Sequence, residues 1–133
     1  MAIISIGKNS IANLETVFDE TNEFTKDMKK LNKKYNSIYE DLEIFKAALI
    51  TALPAGLPGI FAISDLGDHI ELPVYKVKKF RCKSLKGNGV KSGIRLIYTY
   101  YPSINMIYFI EAYHKNQQKN EDRTRILKYL SGS

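Results

Sequence analysis

A chain of 133 residues with 44% apolar content is sized for one domain with a real core, and its single cysteine, Cys82, rules out an internal disulfide. One Cys and two His cannot build a Cys/His zinc cluster, no apolar run approaches the roughly 20 residues of a membrane span, and the opening Met1-Ala2-Ile3-Ile4-Ser5-Ile6 is too short for a secretory signal core. The formal charge of +6 is unevenly placed: residues 1–73 hold 7 basic and 11 acidic side chains, whereas residues 74–110 hold 8 basic and none acidic.

A soluble, cytoplasmic protein is therefore expected, with no membrane partner, no metal and no cofactor. The acid-free segment has two readings. It can face a polyanion such as a nucleic-acid backbone, or it can be a solvated basic face.

Residues 1–15 show no clear period and read as an arm or a first strand reaching Val17 or Phe18. Phe24, Met28, Leu31 and Tyr35 then fall on one face of a helix, with lysines around the rest. Ser37-Ile38-Tyr39-Glu40 has the form of a capping box opening a second helix, whose stripe is Ile38, Leu42, Phe45 and Leu49 and which Pro54, Gly56 and Pro58 end. The two read as an antiparallel helix hairpin. Residues 59–73 read as irregular.

Three strand-like runs follow, at residues 74–81, 94–101 and 106–113, all rich in β-branched and aromatic side chains. A Gly/Ser/Lys loop joins the first two, and Pro102-Ser103-Ile104-Asn105 joins the last two. The second and third runs are apolar on both faces, so both faces of the sheet should be covered. A last helix over about residues 121–130 has Ile126, Leu127 and Leu130 as its stripe and Asn120 as a cap. The expected fold is α+β, an N-terminal helix hairpin packed on an antiparallel sheet with a C-terminal helix, in one domain over residues 1–133.

Three stretches carry a family likeness. Tyr75-Lys76-Val77-Lys78, Ser92-Gly93-Ile94-Arg95-Leu96-Ile97-Tyr98 and Phe109-Ile110-Glu111-Ala112-Tyr113-His114-Lys115 stand in that order behind the helix pair, with Phe80-Arg81-Cys82-Lys83-Ser84-Leu85-Lys86-Gly87 before the second. Over residues 17–130 this resembles the RelE/ParE superfamily of toxins. The resemblance implies a toxin held inactive by a cognate antitoxin protein. Its nuclease members cut mRNA, usually on the ribosome, while others inhibit DNA gyrase. It also implies a transition-state arginine at Arg95, functional lysines at Lys76 and Lys78, and at Lys115 a Lys where members carry a second Arg. A tyrosine that some members carry near the start of the last helix is missing, since Asn120-Glu121-Asp122 stands there.

The residues themselves suit metal-free RNA cleavage. The 2′-OH attacks the neighbouring phosphate, and the protein must move two protons and stabilise the phosphorane. Arg95 is a charge on an apolar strand, which needs either a purpose or a carboxylate partner such as Glu111. Lys76 and Lys78 share a strand face, where they would depress each other's pKa, or else simply face solvent. His114, Glu121 or a Lys could supply the acid, and His114 could equally be structural. Tyr113 could stack on a base. Arg81, Lys83, Lys86 and Lys91 could position phosphates, or line an ordinary basic loop. Two other readings stay open: a gyrase inhibitor on the same fold, and a non-catalytic domain that binds RNA or an antitoxin.

Overall fold

The computed structural model describes residues 15–85 and 91–131. The elements are β1 (Val17–Glu20), α1 (Asn22–Asn32), α2 (Ile38–Ile50), β2 (Ile60–Ala62), β3 (Val74–Val77), β4 (Ile94–Tyr101), a 3-10 turn (Pro102–Ile104), β5 (Met106–His114) and α3 (Arg123–Leu130). The class is α+β. The five strands form one sheet in the order β1-β5-β4-β3-β2.

The sheet is mixed rather than antiparallel throughout, because β1 runs parallel to β5. A parallel pair needs a long connection, and the whole chain between these strands provides it. The arrangement seats α1 directly. Thr21 Oγ1 donates to the Ile110 carbonyl oxygen at 3.2 Å and accepts from Phe24 N at 3.0 Å, capping α1. Phe24 then stacks on Phe109, with ring centroids 5.1 Å apart.

β2 lies in the segment expected to be irregular. It is three residues long, too short for a period of two to be legible, and pairs with β3 in the register Phe61↔Lys76. The strand expected over residues 74–81 keeps ladder pairing only to Val77.

Both sheet faces are covered. On one side Val77, Leu96, Tyr98 and Phe109 pack with Phe24, Met28, Ile38, Leu42 and Leu49 of the first two helices. On the other, Val74, Ile97, Ile110 and Tyr113 pack with Ile126 of α3. This double burial explains the near-continuous apolar runs of β4 and β5. α3 is held by Arg125, whose Nη1 donates to Asp27 Oδ2 at 2.6 Å and to the Ile110 carbonyl at 3.0 Å, and by Glu23, which accepts from Lys128 and Tyr129.

Two expected caps are replaced. Ser37 makes no cap bond. Its hydroxyl donates to Asp41 Oδ2 at 2.7 Å and accepts from Ser84 N at 2.9 Å, while Glu40 pairs with Lys83. α3 is capped by Asp122, which accepts from Arg125 N at 3.1 Å, so Asn120 is not the cap. No helix among the described residues is long and apolar enough to cross a membrane.

Candidate functional site

β3, β4 and β5 place Lys76, Arg95 and Tyr113 on the sheet face that α3 shares. Arg95 stands opposite Tyr113 across β4 and β5, and Lys76 stands opposite Ile97, whose side chain belongs to the α3-side core. Side-chain alternation along each strand does the rest.

Arg95 is partly exposed. Its Nη1 donates to the Lys78 carbonyl oxygen at 2.9 Å. Glu111, the carboxylate it could have paired with, instead accepts from Gln118 Nε2 at 2.7 Å and from Asp122 N at 2.9 Å. Burial pushes the Glu111 carboxyl above its ordinary value, and those two hydrogen bonds only partly oppose it. The remaining Arg95 donors are therefore available for a planar, bidentate contact with a phosphate. Lys78 is exposed beside it, its ammonium 5.2 Å from the ring centroid of Phe61. Phe61 is 52% exposed. Reading residues 59–73 as irregular hid it, and the sequence carried no signal for it, because Lys78 comes beside Phe61 only through the pairing of β2 with β3.

Lys76 departs from expectation. Its Nζ donates to Glu121 Oε1 at 2.9 Å, in a pair whose side chains are only 13% and 9% exposed. Burial works against the ammonium, but the Glu121 hydrogen bond and the neighbouring Tyr113 and Glu121 outweigh it, so the Lys76 pKa is raised and not depressed. Burial likewise opposes the Glu121 carboxylate, and Lys76 and Arg123 overcome it, holding that carboxyl below its usual range. Arg123 Nη2 lies 3.4 Å from Glu121 Oε2.

Tyr113 is 6% exposed, so its ring is not a free stacking surface; it packs in the α3-side core. Its hydroxyl oxygen is buried and has no well-formed hydrogen bond among the described residues, although it sits close enough to Lys76 to feel the ammonium.

His114 is on the opposite sheet face from Tyr113. It pairs with Ile94 in register and stacks on Tyr35 at 5.7 Å. Nδ1 accepts from Asn116 N at 3.0 Å, which leaves Nε2, 3.1 Å from the Ser92 carbonyl oxygen, as the donor. Burial lowers its pKa, with Lys34, Lys115 and Arg95 adding to that. The same contact explains Gly93. At φ +82° a Cβ there would meet His114 Nε2 at 2.8 Å, so only glycine lets β4 begin against this ring.

Lys115 is exposed just beyond β5, its backbone N–H bonded to the Gly93 carbonyl at 2.9 Å. Lys91 is exposed, and Lys86 lies outside the described residues. Arg81 and Lys83 are exposed elsewhere, with Lys79 on the wall of a groove of about 270 Å³ floored by Ile44, Phe45, Ala48 and Leu57. The structure therefore groups Lys76, Lys78, Arg95 and Tyr113, adds Phe61, Glu121 and Arg123, and separates His114, Arg81 and Lys83. Among the described residues no group of three or more His, Cys, Asp or Glu side chains converges as a metal-binding cluster.

Comparison with protein-family models finds no match, and comparison with curated proteins finds none either.

Proposed function

We propose that this chain is an endoribonuclease toxin of the RelE/ParE kind, cleaving mRNA on the ribosome by attack of a 2′-OH on its phosphate. The observation that carries the reading is Arg95: partly exposed, bound to no carboxylate among the described residues, and braced on the Lys78 carbonyl by one of its donors. In this reading Arg95 grips the non-bridging oxygens and stabilises the charge that grows on them. Lys78 and Lys115 bring the chain's phosphates in, and Phe61 stacks on a base beside them. The order of elements, two helices ahead of the β3–β4–β5 meander and a helix after it, suits the same family. A cognate antitoxin with an acidic segment is the partner that the charge of residues 74–110 favours.

The test is expression of Arg95→Ala beside wild type, scoring growth and message integrity. A variant that arrests growth and cuts message like wild type would sink this reading. The apolar groove carrying Arg81 and Lys83 away from Arg95 favours a second one, inhibition of DNA gyrase through a protein-binding surface. Loss of supercoiling by purified gyrase, with message intact, would select it. A chain that leaves growth, message and gyrase untouched would be a non-catalytic binding domain.

A further inference from the structure

The proposed reaction needs a proton for the leaving 5′ oxygen, and the start of α3 offers no tyrosine to give it. One hydroxyl on this face is unaccounted for. Tyr113 is more than nine-tenths buried, its oxygen makes no well-formed hydrogen bond among the described residues although the Lys76 ammonium lies close to it, and it stands in register with Arg95. A buried hydroxyl whose polar neighbour is a lysine already paired with Glu121 calls for an explanation, because a phenylalanine would fill the same space without burying an oxygen. Its surroundings are equally specific: the Lys76 ammonium beside it, and the Glu121 carboxylate spanning Lys76 and Arg123. That carboxylate is an anion held by two cations, as a phosphodiester would be, and Arg95 stands in register with the Tyr113 beside them.

We propose that Glu121 occupies the substrate's phosphate position at rest, and that Tyr113 and Glu121 are the acid and base of the site once RNA displaces it. This rests on the nuclease reading above. The incoming phosphate takes Arg123 and Lys76 from Glu121. The freed carboxylate accepts the 2′-OH proton as the 2′ oxygen bonds to phosphorus. The bond from phosphorus to the 5′ oxygen breaks, and that oxygen takes the Tyr113 proton. The products are a 2′,3′-cyclic phosphate and a 5′-OH end. Lys76 stabilises the tyrosinate until the proton on Glu121 returns to it through solvent, which restores both groups.

The experiment uses ribosomes programmed with a short message that is cut at one site, in two forms: an ordinary 5′ oxygen at that site, or a bridging 5′ sulfur, a leaving group that needs no proton. Tyr113→Phe should slow cleavage of the oxygen form by about 100-fold, the low end for losing a general acid, and should cut the sulfur form nearly as wild type does. Glu121→Gln should be slow on both, since the base is needed for each. The inference is overturned if Tyr113→Phe cuts the oxygen form at the wild-type rate, or if its defect persists on sulfur while its thermal melt matches wild type. Failure of the underlying reading looks different: wild type leaves both messages whole, or Arg95→Ala cuts them as wild type does.

Discussion

Arg95 Nη1 donates to the carbonyl oxygen of Lys78 at 2.9 Å, so the guanidinium is anchored by main chain rather than by an acid. A main-chain anchor fixes the plane of the fork without neutralising its charge. On the proposed nuclease reading, Arg95→Ala should therefore cost cleavage heavily, about 100-fold or more, the usual loss when a single transition-state donor is removed. Arg95→Lys should recover binding but little rate, because one ammonium cannot brace on Lys78 and also grip two phosphate oxygens. Both variants should melt close to wild type, since a partly exposed side chain with one hydrogen bond contributes about 1 kcal/mol. Single-turnover cleavage and circular-dichroism melts measure the two quantities.

Glu121→Gln tests the ion pair as a structural element. The Glu121 carboxyl is held below its reference value of 4.5, so its contribution is present above that pH and is lost as pH falls through the lowered value. Lys76 is raised above 10.5, so its contribution is present below that pH and is lost as pH climbs through the raised value. The stability gap between wild type and the variant should be flat across the neutral range and should narrow once pH falls below 4.5 and through the lowered carboxyl value. About 1–3 kcal/mol is expected for a charged hydrogen bond this well buried. Urea titrations of both proteins at a series of pH values from 7 down into the acid range decide it.

His114 should act as a stability element with the opposite response to acid from a salt-bridged histidine. Its folded pKa lies below 6.5 because burial and neighbouring cations disfavour the imidazolium. The stability it contributes is thus complete above the unfolded value and is lost as pH falls through the folded one. Wild type should lose more stability than His114→Gln between pH 7.5 and pH 5.5. Equal losses would show that folding leaves the proton affinity of the imidazole unchanged.

Cys82 should resist labelling in the folded protein. The residue is buried, and burial pushes its thiol up, with Asp41 adding to the shift while a contact from Ser37 opposes it. Sγ lies 3.7 Å from the Ser37 hydroxyl, which also bonds Asp41. Asp41→Ala removes the acceptor of both Ser37 and the Lys83 N–H, so it should cost about 1–3 kcal/mol and speed labelling by a disulfide reagent. In wild type, labelling should follow the rate of unfolding.

What the sequence made legible follows from the range of the forces involved. The span of β4 and the start of β5 were read as they stand because apolar side chains on both faces leave an unbroken run. The stripe of Phe24 and Met28 likewise marks α1. Ser37 and Glu40 were misread as a cap because their partners, Ser84 and Lys83, lie more than 40 residues away. Lys76 looked like a free cation because Glu121 is 45 residues downstream. Alternation could set Tyr113 and His114 on opposite faces, but not say which face α3 would bury.

β1 closes one edge of the sheet by pairing with a strand 89 residues further along, where Thr21 reaches the Ile110 carbonyl. During synthesis that edge stays open, and α1 has nothing to sit on, until residues 106–114 have left the ribosome. A chain released earlier would carry Arg95 without the strand that faces it. Most of this chain is thus synthesised before the sheet that organises it can close, so its folding waits on its last third.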